Sequence, residues 1–311
     1  MRVLSIQSSV VYGYVGNKSS LFPIQLHGID VDPINSCQLS NHTGYTSFAG
    51  RKSNSGELRE LINGLEQNNL LGNYTHVLTG YLANDDFAGQ VLELIKKMKA
   101  NNPQLIVYID PVLGDSGKLY MPSSLIDVYK SVLQYSSVIT PNQTEVELLT
   151  NIKINSLDDA YIACCYFHKV MNVPTVVITS INNIGDDNNI IHIVASTTTT
   201  SSSSNHHNQL PSQYTYLSVN KYPGYYSGTG DLMSALLLVW LSSGRSIQQS
   251  LEYTVSSIQA VIQRTYQCDS NELKLIQSRN DLEKPTIIVH CSNRDAPVLT
   301  SQHLSLLNNT Q

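Results

Sequence analysis

Gly228-Thr229-Gly230-Asp231 runs directly into Leu232-Met233-Ser234-Ala235-Leu236-Leu237-Leu238-Val239-Trp240-Leu241, so that two glycines and an acid open a strongly apolar segment. That pattern predicts a buried helix whose first turn is an anion site. The N–H groups of a helix's first turn lack intrahelical partners and carry the positive end of the dipole, and glycines let a phosphate approach the backbone closely. Asp231 has two readings. As a lone acid at a helix start it complements the dipole, which is the commoner role. Beside a bound phosphoryl group it is a general base that takes the proton of an attacking hydroxyl. These four residues leave both readings open.

Upstream of this segment, short β-branched runs alternate with longer helical patterns. Val3-Leu4-Ser5-Ile6 precedes a helix from Asn17 to His27, and Ile34 to Gln38 precedes one from Gly56 to Asn68. The strand His76 to Thr79 leads into a helix from Asp85 to Asn101, followed by strands at Leu105 to Ile109 and Val138 to Thr140. A helix from Leu157 to Val170 and a strand from Thr175 to Thr179 continue the alternation. Nearly continuous apolar strands with helices between them predict a parallel sheet covered on both faces, with ligands at the carboxyl ends of the strands. Polar clusters fall at those ends: Gln7-Ser8, Ser40-Asn41-His42-Thr43, Gly80-Tyr81, Asp110-Pro111, Pro141-Asn142 and Ser180.

At 311 residues, 41% hydrophobic and 14% charged, the chain is long enough to bury a large core. A net charge of -5 and a pI near 6.0 give no electrostatic footprint for nucleic acid or an anionic membrane. Small-molecule chemistry is the better expectation. The five cysteines are scattered without a CxxC pair, which fits reduced thiols in a reducing, cytoplasmic setting. The N-terminus enters a strand with no signal-peptide pattern, and the longest apolar run, about ten residues, is shorter than the roughly 20 that span a bilayer. The organisation expected is one domain over 1–291, interrupted by a low-complexity Ser/Thr-rich loop at 196–209, with a polar C-terminal tail over 292–311. A final strand is expected at Thr286 to Val289, after a helix from Ile247 to Cys268.

Taken singly, the remaining motifs favour structural roles. Gly13-Tyr14-Val15-Gly16-Asn17-Lys18-Ser19 is neither a full dinucleotide fingerprint nor a Walker loop, and reads as a turn and helix cap. Asp110-Pro111-Val112-Leu113-Gly114-Asp115 is either a turn or a set of oxygen ligands for a hard divalent cation. In Thr140-Pro141-Asn142-Gln143-Thr144-Glu145, Asn142 and Glu145 either cap a helix or contact metal-bound water. Their joint placement at strand ends, beside an anion-binding helix start, favours the functional versions.

In their order along the chain these motifs resemble the ribokinase superfamily and, within it, the pyridoxal kinases. The resemblance is carried by Ser5-Ile6-Gln7-Ser8, Gly13-Tyr14-Val15-Gly16-Asn17, Ser40-Asn41-His42-Thr43-Gly44-Tyr45, Leu78-Thr79-Gly80-Tyr81, Asp110 to Asp115, Thr140-Pro141-Asn142-Gln143 and Gly228 to Asp231, and covers almost the whole chain. It implies an α/β fold of three layers, αβα, with a mostly parallel central sheet, and a homodimer. The implied reaction moves the γ-phosphoryl group of ATP to the 5′-hydroxyl of pyridoxal, pyridoxine or pyridoxamine. By the same resemblance Asp231 is the base, and Gly228, Thr229 and Gly230 form the anion hole. Ser8, Val15, His42, Thr43 and Tyr81 surround the pyridine ring. The nucleotide side comprises Asp110, Asn142, Thr179, Ser180, Tyr222, Pro223 and Gly224, with Tyr120 on a flap from Asp115 to Pro122. Asp110, Asp115, Thr140, Glu145 and Thr179 manage Mg²⁺ and a monovalent cation, K⁺ or Na⁺. A hydroxymethylpyrimidine or sugar kinase, a catalytically silent pyridoxal phosphate-binding protein and, more weakly, a dinucleotide-binding dehydrogenase are the other readings.

Overall fold

The computed structural model describes residues 1–182, 184, 189–198, 211–293 and 296–308. In chain order the strands are β1 (Arg2–Val10), β2 (Asp30–Leu39), β3 (Gly50–Lys52), β4 (His76–Thr79), β5 (Ile106–Ile109), β6 (Gly114–Asp115), β7 (Lys118–Leu119), β8 (Val138–Ile139), β9 (Thr175–Ile181), β10 (Ile190–Thr197), β11 (Gln213–Asn220) and β12 (Ser292–Asn293). The helices are α1 (Asn17–Leu26), α2 (Ser55–Gln67), α3 (Asp85–Asn101), α4 (Leu125–Leu133), α5 (Gln143–Thr150), α6 (Leu157–Lys169), α7 (Thr229–Ser242), α8 (Ile247–Gln267), α9 (Arg279–Glu283) and α10 (Ser301–Asn308).

All strands except β6 and β7, which pair with each other, form one sheet in the order β12-β11-β10-β9-β8-β5-β4-β1-β2-β3. The centre, from β2 through β9, is parallel, and antiparallel strands finish both edges. Alternation along each strand sends successive side chains to opposite faces. Val77, Val107, Ile109, Val176 and Ile178 pack against one core, covered by α2 to α6. Leu78, Tyr108 and Val177, their sequence neighbours, enter a second core with α7 and α8. This is the expected three-layer α/β architecture. The apolar run after Asp231 is α7, buried from Leu232 through Trp240, so the segment that predicts a buried helix is one.

Several boundaries differ from the sequence reading. β2 begins at Asp30, where two acids and Pro33 obscure a strand. Pro33 is tolerated because β3 pairs only with Cys37 to Leu39, so its missing N–H faces a free edge. Thr286 to Val289 forms no strand: the Ile288 N–H donates to Ser256 Oγ at 3.1 Å and the Cys291 N–H to Glu252 Oε1 at 2.9 Å, both on α8. Side chains of α8 thus take amides that a ladder would have used. The expected polar tail instead supplies β12 and α10, whose Leu307 is fully buried. Ser196 and Thr197 of the expected low-complexity loop end β10, and Ser196 is buried under a hydrogen bond with His168; residues 199–209 lie outside the described residues.

Among the described residues no helix is long and apolar enough to cross a membrane. All five cysteines are free thiols.

Candidate active site

The site lies where β1, β4, β5 and β8 end, against the N-terminus of α7. The register of β1 on β2 slips between Gln7 and Ser8. The extra residue is Ser36 on β2, which the bulge turns toward the Tyr81 carbonyl, while Ser8 sits half-buried near the end of β1. α1 then starts from Gly16, whose φ of 56° and closeness to Ser8 exclude a side chain: a Cβ there would sit 2.1 Å from the Ser8 carbonyl oxygen. The Gly16 N–H donates to Asp231 Oδ2 at 2.7 Å. The first loop is thereby tied to the helix that carries the acid.

α7 begins from Gly228 in the left-handed conformation, φ 87°. A Cβ on Gly228 would lie 2.0 Å from the Tyr14 carbonyl oxygen, so only glycine fits there. Ser19 Oγ donates to the Gly228 carbonyl at 2.9 Å and Thr229 Oγ1 to the Tyr226 carbonyl at 3.1 Å, fixing the turn that presents the first amides. Gly230 is exposed, and a Cβ on it would come within 3.8 Å of Asp110 Oδ2. Asp231 stands behind it. Desolvation pushes its pKa up to about 6, while the hydrogen bond from Gly16 pulls the other way.

Three carboxylates meet around this helix start. Asp110, at the end of β5 and 8% exposed, is held well above the carboxylate range by burial first, then by the charges of Glu145 and Asp231. Glu145 is pushed up to about 8 by burial, against hydrogen bonds from the backbone of Asn142, Leu113 and Gly114. Its oxygens accept the Leu113 N–H at 3.0 Å and the Asn142 N–H at 2.8 Å. Thr140 Oγ1 lies 2.8 Å from Ser234 Oγ, which bonds the Gly230 carbonyl at 3.2 Å and also supports Asp110. Ser234 was not anticipated; it is a lone hydroxyl inside an apolar run, and that is the signal that could have found it.

The other anticipated residues lie on two walls of the site. Asn142 is engaged at both ends of its amide, capping α5 at the Glu145 N–H and donating to the Gly114 carbonyl at 2.7 Å, so it pins the base of the β6–β7 hairpin. Asp115 accepts the Ser116 N–H at 2.7 Å within that hairpin, and the Thr179 N–H donates to the Pro141 carbonyl at 2.9 Å beside Thr140. Tyr120, exposed just past β7, has its pKa raised by desolvation and by a hydrogen bond with Tyr225. Tyr222 packs its ring 5.9 Å from that of Tyr266, and the Pro223 carbonyl accepts from Tyr226 at 2.7 Å, next to Gly224 at φ 109°. Ser180 is half-buried on β9.

On the opposite wall, Val15 sits half-buried between Tyr14 and Gly16. Tyr81, after β4, is fixed by Ser36 Oγ donating to its carbonyl at 2.5 Å, with Lys52 Nζ 5.7 Å from its ring. Thr43 is exposed in the loop between β2 and β3. In the same loop His42 accepts the Gly44 N–H at Nδ1, 3.1 Å, and its Nε2 lies 3.3 Å from Glu272 Oε1. Glu272 carries no sequence signature. It is an isolated acid in the irregular segment after α8, more than two hundred residues from the loops it meets. Among the described residues no group of three or more His, Cys, Asp or Glu side chains is arranged to hold a metal ion.

An acid at a helix N-terminus, first-turn amides that could receive an anion, buried carboxylates and a polar cradle suit transfer of a phosphoryl group to a hydroxyl. Comparison with known proteins agrees. The profile of the family described as phosphomethylpyrimidine kinase matches residues 72–275. The pyridoxal kinase of Arabidopsis thaliana is 45% identical over 298 residues, covering 92% of each chain. The structure of pyridoxal kinase from Leishmania donovani in complex with ADP and ginkgotoxin superposes with a TM-score of 0.86 at 32% identity, covering 94% of this chain and 99% of that one. The same enzyme in complex with ADP and pyridoxine gives a TM-score of 0.86 at 31% identity over the same shares.

Proposed function

This chain belongs to the pyridoxal kinase family, and on that premise we propose how its residues carry the reaction. It is an ATP-dependent kinase of B6 vitamers, moving the γ-phosphoryl group to the 5′-hydroxyl of pyridoxal and its relatives. The observation that carries the residue assignment is the hydrogen bond from the Gly16 amide to Asp231 Oδ2, which places the acid between the ring-side loop and the anion-binding helix start.

Asp231 is the base. With a pKa near 6 it is mostly ionised at neutral pH and still basic enough to accept a proton. Gly16 occupies Oδ2, leaving Oδ1 for the acceptor hydroxyl. As the hydroxyl oxygen bonds to the γ-phosphorus, its proton passes to Asp231 and the bond to the ADP oxygen breaks. The first amides of α7, at Gly228, Thr229 and Gly230, stabilise charge on the transferring group. Ser8, Val15, His42, Thr43 and Tyr81 line the ring side. Asp110, Thr179, Ser180, Tyr222, Pro223, Gly224 and Tyr120 face the nucleotide, and Asn142 serves it by holding the flap base.

The donor chemistry fits a divalent cation. The charges of Glu145 and Asp231 raise the proton affinity of Asp110, Asp115 adds to that of Glu145, and nucleotide phosphates would add more negative charge to the same cleft. Asp110 would hold Mg²⁺, with Asp115 and Glu145 behind it; when bound, the ion neutralises phosphate charge. Thr140, Thr179 and the Pro141 carbonyl form an oxygen-rich patch suited to K⁺, or Na⁺. The free thiols support a reducing, cytoplasmic location. The homodimer rests on the family resemblance, and light scattering checks it.

The family profile spans 72–275 and so omits Ser8, Val15, His42 and Thr43, which leaves a hydroxymethylpyrimidine acceptor as the second reading. ADP release with ATP, magnesium and potassium decides between them on a panel of pyridoxal, pyridoxine, pyridoxamine, hydroxymethylpyrimidine and ribose. Pyridoxal is the expected best acceptor. Preference for hydroxymethylpyrimidine would overturn the assignment, and no turnover with tight pyridoxal phosphate binding would indicate a silent binder.

A further inference from the structure

Glu272 is 8% exposed, and its carboxylate reaches two separate loops. Oε2 accepts the Tyr14 N–H at 3.0 Å, in the loop between β1 and α1. Oε1 accepts the Tyr45 hydroxyl at 2.9 Å and lies 3.3 Å from His42 Nε2, both in the loop between β2 and β3. Gly13 makes room for it: a Cβ there would sit 2.2 Å from Oε2.

The carboxylate is itself held from behind. The Glu272 N–H donates to Ser270 Oγ at 3.2 Å, its carbonyl accepts from Ser270 Oγ at 2.9 Å, and Leu273 and Leu275 are fully buried in the core under α7 and α8. His42 is oriented from the other side as well. The Gly44 N–H donates to Nδ1, which leaves the buried Nε2 without a hydrogen-bond partner among the described residues, 3.3 Å from Glu272 Oε1. A buried carboxylate must find donors, and here they all come from the ring-side wall.

We infer that Glu272 is a positioning residue for the acceptor: it clamps the Gly13–Gly16 and His42–Tyr45 loops at the separation that seats the substrate ring. The inference rests on the reading of these loops as the B6 vitamer side. Glu272 acts through Tyr14, His42 and Tyr45, which lie beside Val15 and Thr43. None of its partners is a residue placed on the nucleotide side. Loss of the clamp therefore weakens the acceptor without weakening ATP.

Steady-state kinetics and equilibrium pyridoxal binding on the full chain test this, with Glu272→Ala, Glu272→Gln and Tyr45→Phe beside the wild type. Turnover of pyridoxal by the wild type checks the functional reading independently of the clamp. In Glu272→Ala the pyridoxal KM and Kd should rise about tenfold, with the ATP KM within about twofold. Glu272→Gln keeps an acceptor oxygen and should recover part of the loss, and Tyr45→Phe, which removes one hydroxyl, should raise the pyridoxal KM about two- to fivefold. A folded Ala variant with unchanged pyridoxal KM, or with pyridoxal and ATP weakened equally, would overturn the clamp. Should the Ala variant not fold, unchanged pyridoxal KM in both milder variants overturns it equally.

Discussion

On the phosphate side of the cleft the groups that bear chemistry reach it from their own strand end or helix start. Gly228 to Asp231 are consecutive, Asp110 follows β5, and Glu145 closes a capping box with Asn142 three residues away. On the acceptor side the wall is tied together across the chain, by contacts spanning 258 residues from Tyr14 to Glu272 and 227 from Tyr45 to Glu272. Local backbone geometry places the groups of the first wall, whose helix start Gly16 and Ser19 then tie to the first loop; the second is assembled only by long-range side-chain contacts. Phosphate needs amides and charge, which a helix start supplies; an aromatic ring needs a shaped slot, which takes several loops held at fixed distances. The family profile, which begins at residue 72, spans most of the phosphate wall and misses both ring-side loops.

If the phosphate wall carries the chemistry, its acid gives the largest effect. Asp231→Asn should lower kcat on the order of 10²–10⁴-fold, with the pyridoxal KM little changed. Wild-type-like turnover would remove Asp231 from the mechanism. Next in size, Gly228→Ala forces a side chain to φ 87° and into the Tyr14 carbonyl. It should cost on the order of 10–10²-fold in kcat by shifting the anion-binding amides, and lower the melting temperature, since strain of this kind is worth about 1–3 kcal/mol. Unchanged kcat and stability would mean the helix start has more slack than its contacts indicate. Smallest is Ser8→Ala on the acceptor wall, where the one hydrogen bond proposed to the ring would be lost. The pyridoxal KM should rise about three- to tenfold with the ATP KM unaltered. A change confined to ATP would reverse the assignment of the two walls.

The same division explains what the sequence disclosed. The α7 segment, the alternating strands and the strand-end clusters were legible because each depends on periodicity or on neighbours a few residues apart. β2 was read too short because Asp30, Asp32 and Pro33 resemble a turn, and only the free edge beside them makes a strand admissible. Thr286 to Val289 has the composition of a strand, but side chains of α8 capture the amides of Ile288 and of Cys291 just beyond it. Within the site, Asp231, Asp110 and the Asn142–Glu145 pair were visible as motifs. Glu272 was not, because its role exists only once the chain has brought Tyr14, His42 and Tyr45 to it. Ser234 falls between: its spacing from Gly230 is local, while its contact with Thr140 is not.

The most direct test of Asp231 as base is the pH dependence of kcat/KM for pyridoxal in the wild type and in Asp231→Asn. An acid whose pKa is raised to about 6 is ionised above that pH and loses its capacity to accept a proton below it. Activity of the wild type should therefore fall as pH drops through about 6, and that limb should be missing from the residual activity of Asp231→Asn. An acid limb of the same midpoint in both proteins would belong to the nucleotide, the acceptor or another group, and would contradict the assignment.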